Sequence, residues 1–130
     1  MTGKVVHFEI PFDDGDRARS FYGDVFGWQM MVMPDGDYTL VTTGPSDPES
    51  GPTEAGFING GMFGRSDDYP GKGPSVVIDV PSIDDALERV GGAGGTVLSG
   101  RTPVGDMGFS AYFTDPEGNL IGLWETAAGG

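Results

Sequence analysis

The side chains with the most chemical reach lie near the start of the chain. His7, the single histidine, and Glu9 alternate with Val6, Phe8 and Ile10 in KVVHFEIP (residues 4–11). In an extended strand that spacing sends His7 and Glu9 to one face and the apolar side chains to the other. An imidazole and a carboxylate on one face can exchange a proton, hold a ligand or contribute to a metal site. Glu9 can also meet a cationic group or favour the charged form of His7. Other chemistries are poorly supplied. The chain has no cysteine, which removes thiol nucleophiles, thiolate zinc sites, iron–sulfur clusters and disulfides, and which fits a reducing cytoplasm. There is no GxSxG, and a Ser-His-Asp set would need His7 with no motif to name its serine. The stretch GGAGG (91–95) follows a helical pattern and does not open one, so it is no phosphate cradle. Asp13-Asp14 and Asp84-Asp85 stand at helix starts, where acidic side chains complement the dipole.

The elements that must position these residues follow from periodicity. After the first strand, Asp16 can cap a helix in which Ala18, Phe21, Tyr22, Val25 and Phe26 form one apolar stripe. Gly27 ends it. Residues 28–33 and 38–43 read as strands joined by a turn at Pro34-Asp35-Gly36-Asp37. Trp28, Met30, Met31 and Met33 make a soft apolar run that suits core filling, a pocket wall or an interface. Residues 44–54 read as a surface loop and 55–64 as a fourth strand. The order then repeats. A strand at 74–80 precedes Pro81, and Ser82-Ile83-Asp84-Asp85 opens a helix with Ile83, Ala86, Leu87 and Val90 on one face. Gly91 and Gly92 stop that helix, and strands follow at 95–99, 107–114 and 119–126. Asp115-Pro116-Glu117-Gly118 turns between the last two. The expected organisation is a single α+β domain: module one at about 4–64, a linker at 65–73 and module two at about 74–126.

Composition bounds the partners. Of 130 residues, 20 are acidic and 7 basic, a net charge of −13. Seven scattered cations cannot form the basic patch that nucleic acid or an anionic membrane surface requires. No apolar run approaches a membrane span, and the first residues lack a signal-peptide pattern, so a cytoplasmic protein is expected. The acidity serves solubility and would attract a cationic ligand. The 24 glycines are spread among strands and turns, as tight turns and close backbone approach require.

Two strand–helix–strand–strand–strand modules, an opening strand carrying His7, and the ending FTDPEGNLIGLWE (113–125) resemble the vicinal oxygen chelate superfamily. That group includes glyoxalase I, extradiol dioxygenases and bleomycin-resistance proteins. The resemblance runs from about Val5 to Glu125. It implies an eight-stranded, partly open cup of two βαβββ modules, one helix on the outer face of each, assembled as a homodimer. The family's enzymes hold a divalent metal on the cup floor with His and Glu side chains. Carried over position by position, the first-strand ligand matches His7. The first strand of module two offers Ser75, the last-strand Glu falls on Gly122, and its partner in module one falls near Gly61. His7 is the one surviving ligand, whereas zinc, nickel or iron sites take three or four. Glu9 and Asp79 reach the cup by alternation but are not family ligands.

The expected function is therefore a metal-independent, cofactor-free binding protein that sequesters a toxic, aromatic or cationic small molecule, as in the bleomycin-resistance branch. The alternative is a metal-dependent lyase, isomerase or dioxygenase that uses His7 with a non-standard partner such as Glu9. Alternation and register with Gly122 and Gly61 place His7, Glu9, Phe57, Asn59, Phe63, Ser75 and Trp124 on the cup, with Leu120 beside Trp124. Trp124 and Phe63 occupy equivalent places in the two modules. Such a pair can clamp a flat or cationic ligand, and the same rings would equally serve core or dimer packing.

Overall fold

The computed structural model describes residues 3–34, 38–68 and 73–128. The chain divides into two compact units. The N-terminal unit is built on His7–Ser66; the C-terminal unit, on residues 75–128, also takes in the start of the chain through Val6. Each unit is α+β, with one helix against one face of its strands.

In the N-terminal unit the elements are β1 (Val5–Phe12), α1 (Gly15–Phe26), β2 (Gln29–Val32), β3 (Tyr38–Thr42), a short β4–β5 pair (Ser46–Asp47 and Gly51–Pro52) and β6 (Gly60–Gly64). The strand order is β2-β3-β6-β1, with β1 and β6 parallel and the others antiparallel. Register decides which side chains share a face. Glu9 lies opposite Gly61, which lies opposite Leu40, and Phe63 lies between Pro11 and Tyr38. The other face carries Phe8, Ile10, Met62, Thr39 and Val41, and Met62, Thr39 and Val41 are fully buried. Helix α1 covers this second face: Arg19 Nη1 donates to Thr39 Oγ1 at 3.1 Å, and Tyr22 stacks on Trp28 at 5.0 Å, which in turn meets Phe8.

Helix α1 differs from its sequence reading in two ways. Its N-cap is Asp14, whose carboxylate accepts from Arg17 N; Asp16 lies in the first turn and pairs with Arg19 at 2.7 Å. The side turned to the sheet is Ala18, Arg19 and Tyr22, while Phe21, Val25 and Phe26 stay 54%, 56% and 60% exposed. Arg19 reaches a buried hydroxyl with its guanidinium, which also lies over the Phe12 ring, so the helix rotates away from its most apolar stripe. Gly27 ends the helix at φ 73, the left-handed conformation that glycine adopts without strain. The turn expected at Pro34–Asp37 lies mostly outside the described residues. The strand expected over 55–64 shortens to β6, and residues 55–59 are irregular.

The C-terminal unit repeats the plan with β7 (Ser75–Asp79), α2 (Ile83–Gly92), β8 (Thr96–Val104), β9 (Gly108–Thr114) and β10 (Leu120–Thr126). Its strand order, β7-β10-β9-β8, again sets the first strand parallel to the last. Val80, Ile83, Ala111 and Leu123 form the core under α2, joined by Ile78, Ala86, Leu87, Phe109 and Phe113. Ser82 caps α2 through Asp85 N, as expected. Gly91 and Gly92 are the last helical residues, and the chain turns at Ala93 and at Gly94, whose φ is 98. Strand β8 is longer than expected because two register shifts and its outer position accommodate Gly100 and Pro103. Among the described residues no helix is long and apolar enough to cross a membrane.

Glu125 ties the last strand to the helix. Its Oε1 accepts from Ile83 N at 2.8 Å, and its Oε2 accepts from Arg101 at 2.9 and 3.1 Å while that guanidinium sits 3.5 Å from the Phe109 ring centre. The Arg101 hydrogen bonds first, and the Ile83 N–H second, hold the Glu125 carboxyl below its usual 4.5. A depressed folded-state value contributes stability above the unfolded value, which is lost as pH falls through the folded one. Glu125→Gln is therefore expected to flatten the loss of stability on acidification below about pH 5, read by denaturant titration across pH. Glu125→Ala, which also removes the helix acceptor, should lower stability by about 1–2 kcal/mol. An unchanged unfolding midpoint in the alanine variant would refute that role.

Candidate functional site

Three polar side chains meet on the face of the N-terminal unit that α1 leaves uncovered. Alternation along β1 brings His7 and Glu9 to that face, and the β3–β6 register, which sets Tyr38 opposite Phe63, brings Tyr38 to it as well. The Tyr38 hydroxyl donates to Glu9 Oε2 at 2.7 Å, and His7 Nε2 lies 2.9 Å from the same hydroxyl. Glu9 is only 3% exposed, so its carboxylate depends on such donors. Burial lowers the His7 pKa to about 4, which keeps the ring neutral at ordinary pH. Gly61 makes the arrangement possible. A Cβ there would overlap the Tyr38 hydroxyl and its ring, so the phenol lies where any other residue would place its side chain. Leu40 and Phe63 flank the three groups on the same face.

The other expected cup residues divide by unit and by task. Asn59 holds a loop: its Oδ1 accepts from Thr43 N and its Nδ2 donates to Ser46 Oγ. Phe57 precedes β6, so strand alternation does not orient it; the tip of its ring abuts Gly44. Phe63 is half-buried on β6. Ser75 and Trp124 belong to the C-terminal unit. Ser75 is buried at the start of β7, and Trp124 lies across from Asp79 and Ser110 on the side away from α2. The Trp124 indole N–H donates to Thr126 Oγ1 at 3.2 Å, and its ring lies against Gly108. Gly122, beside Val77 and Tyr112, has Leu120 and Trp124 on its own face, with Ile121 and Leu123 on the other. A shallow concavity of about 450 Å³ over the first turns of α2 carries no histidine and no aromatic ring, and the Ser82 hydroxyl in it already caps the helix.

Tyr38 is the participant that sequence reading missed. Its signal was indirect: Gly61, without a side chain, leaves room for a bulky neighbour, but only the packing of the Tyr38 ring over it names which one. The donor chemistry here does not fit a metal. His7 Nε2 and Glu9 Oε2 both bond to the Tyr38 hydroxyl, and Gly61 beside them has no side chain to offer. Among the described residues no three His, Cys, Asp or Glu side chains converge.

Comparison with known proteins agrees with this architecture. Residues 4–44 match the family described as bleomycin resistance protein-like N-terminal. A glyoxylase-like domain-containing protein from Didymella fabae is 30% identical over 124 residues, which is 92% of this chain and 91% of that protein. The chain belongs to the glyoxalase/bleomycin resistance/dioxygenase superfamily. A superfamily member from Vibrio splendidus superposes with a TM-score of 0.63 at 18% identity, covering 95% of this chain and 99% of that one. Methylmalonyl-CoA epimerase from Mycobacterium tuberculosis gives 0.61 at 19%, covering 97% and 89%. These structural likenesses are likenesses of fold.

Proposed function

We propose that this chain is a metal-independent small-molecule binding protein, with the His7, Tyr38 and Glu9 face of its N-terminal unit as the ligand-contacting surface. One observation carries the reading: the Tyr38 hydroxyl stands between His7 Nε2 and Glu9 Oε2, and among the described residues no third His, Cys, Asp or Glu side chain converges with them. The face combines that polar centre with apolar Leu40 and Phe63, the composition of a site for a flat, neutral or cationic molecule. The net charge of −13 favours cations and disfavours anions at long range, an effect that salt weakens.

Elemental analysis of purified protein is expected to find far less than one first-row metal per chain. A stoichiometric metal that disappears in His7→Ala would overturn the reading in favour of a metal-dependent lyase, isomerase or dioxygenase. We propose also that the chain pairs with a second copy. Supporting this are the outer strand β2 with exposed Met31 and Val32, and the exposed Phe21, Val25 and Phe26 of α1 in the same unit. Light scattering that returns the mass of a single chain throughout the micromolar range would sink that proposal.

A further inference from the structure

The hydrogen bonds on the N-terminal face run in one direction, and that direction determines what the face can offer a ligand. Glu9 Oε2 is the acceptor of the pair. The single O–H of Tyr38 points at Glu9 Oε2, which leaves the phenolic oxygen as an acceptor. His7 Nε2, 2.9 Å from that oxygen, must then carry the ring proton. A neutral imidazole protonated at Nε2 holds its lone pair on Nδ1. Nδ1 has no hydrogen-bond partner among the described residues, and no buried side-chain nitrogen or oxygen among them lacks one, so Nδ1 opens onto accessible space.

We infer that His7 is an acceptor locked in one tautomer by Tyr38 and Glu9, and that it selects ligands carrying an O–H or N–H donor on a flat apolar body. The inference rests on the reading of this face as a ligand site and adds the chemistry that the site demands. A donor satisfies Nδ1. An isostere without one buries Nδ1 unpaired, and a site built to hydrogen-bond a hydroxyl discriminates strongly against the analogue that lacks it. An anion brings further lone pairs toward Nδ1 and meets the net charge of −13, so it is disfavoured as well. Tyr38 is thus a positioning residue: it acts on the ligand through His7.

Two measurements on the full chain test this. Because His7 is the only histidine, long-range nitrogen–proton NMR reads a single imidazole. The expected spectrum has a protonated Nε2 and a bare Nδ1, and Tyr38→Phe should convert it to a mixture of tautomers. The opposite tautomer, or a mixture in the unaltered protein, overturns the lock without reference to any ligand or variant. The second measurement titrates naphthol, methoxynaphthalene and naphthoate, substituted at the same ring position, while following the resonances of His7, Leu40 and Phe63. Naphthol should bind roughly tenfold more tightly than methoxynaphthalene, and naphthoate most weakly. In Tyr38→Phe the preference for naphthol over methoxynaphthalene should fall to near one. Equal binding of naphthol and methoxynaphthalene, or tightest binding of naphthoate, overturns the selectivity and leaves the ligand site standing. Failure of all three to move those resonances overturns the ligand-site reading and the selectivity together.

Discussion

Gly61→Ala is expected to destabilise the N-terminal unit by about 2–4 kcal/mol and to dismantle the His7–Tyr38–Glu9 network. The cause is steric and local. Gly61 has no left-handed backbone to preserve, so a methyl group would strain nothing by itself, but it would overlap the Tyr38 hydroxyl and ring. The phenol must swing away. Glu9, 3% exposed, then loses its Tyr38 donor, and His7 Nε2 loses its acceptor. Overpacking and loss of a donor to a buried carboxylate act together here. Denaturant titration measures the first effect, and the His7 tautomer measures the second. The double variant Gly61→Ala with Tyr38→Ala should be destabilised by clearly less than the sum of the single changes, because the clash exists only while both side chains are present. A Gly61→Ala protein with unaltered stability and tautomer would show that Tyr38 does not occupy that space.

Ile83→Ala should lower the stability of the C-terminal unit by about 3–4 kcal/mol. Ile83 is 0% exposed and packs with Val80, Ala111 and Leu123. Truncation removes the buried methyl and methylene groups and leaves a void under the first turn of α2. That turn is held by Ser82 and Glu125, so it has little freedom to collapse into the space. The hydrogen bond from Ile83 N to Glu125 survives the change because it belongs to the backbone. Val97→Ala supplies the contrast: Val97 is 45% exposed on β8, and its truncation should stay within about 0.5 kcal/mol. A midpoint shift in urea for Ile83→Ala no larger than that of Val97→Ala would refute the assignment of Ile83 to the core.

The repeated strand–helix–strand–strand–strand order, the Ser82 cap, the left-handed Gly27 and the faces assigned along β1 and β10 all follow from features local in the chain. Periodicity, capping chemistry and turn residues act over a few positions, and a sequence displays them directly. His7 and Glu9 were assigned to one face on that basis, and Leu120 and Trp124 to the face of Gly122. The errors arose where distant segments compete. Of the apolar stripe of α1, Ala18 and Tyr22 turn to the sheet as expected, whereas Phe21, Val25 and Phe26 stay exposed and Arg19 reaches the buried Thr39 hydroxyl in their place. Extending the fourth strand back to residue 55 placed Phe57 and Asn59 by alternation, whereas contacts with Gly44, Thr43 and Ser46 hold them in an irregular segment.

The chain by itself thus determined the paired modules and the polar face of β1. Only the tertiary structure decided that Tyr38 fills the space above Gly61 and stands in hydrogen-bond reach of both His7 and Glu9. That pairing joins β3 to β6 across a long loop, and register between strands so far apart is set by packing and backbone hydrogen bonds that no local pattern encodes.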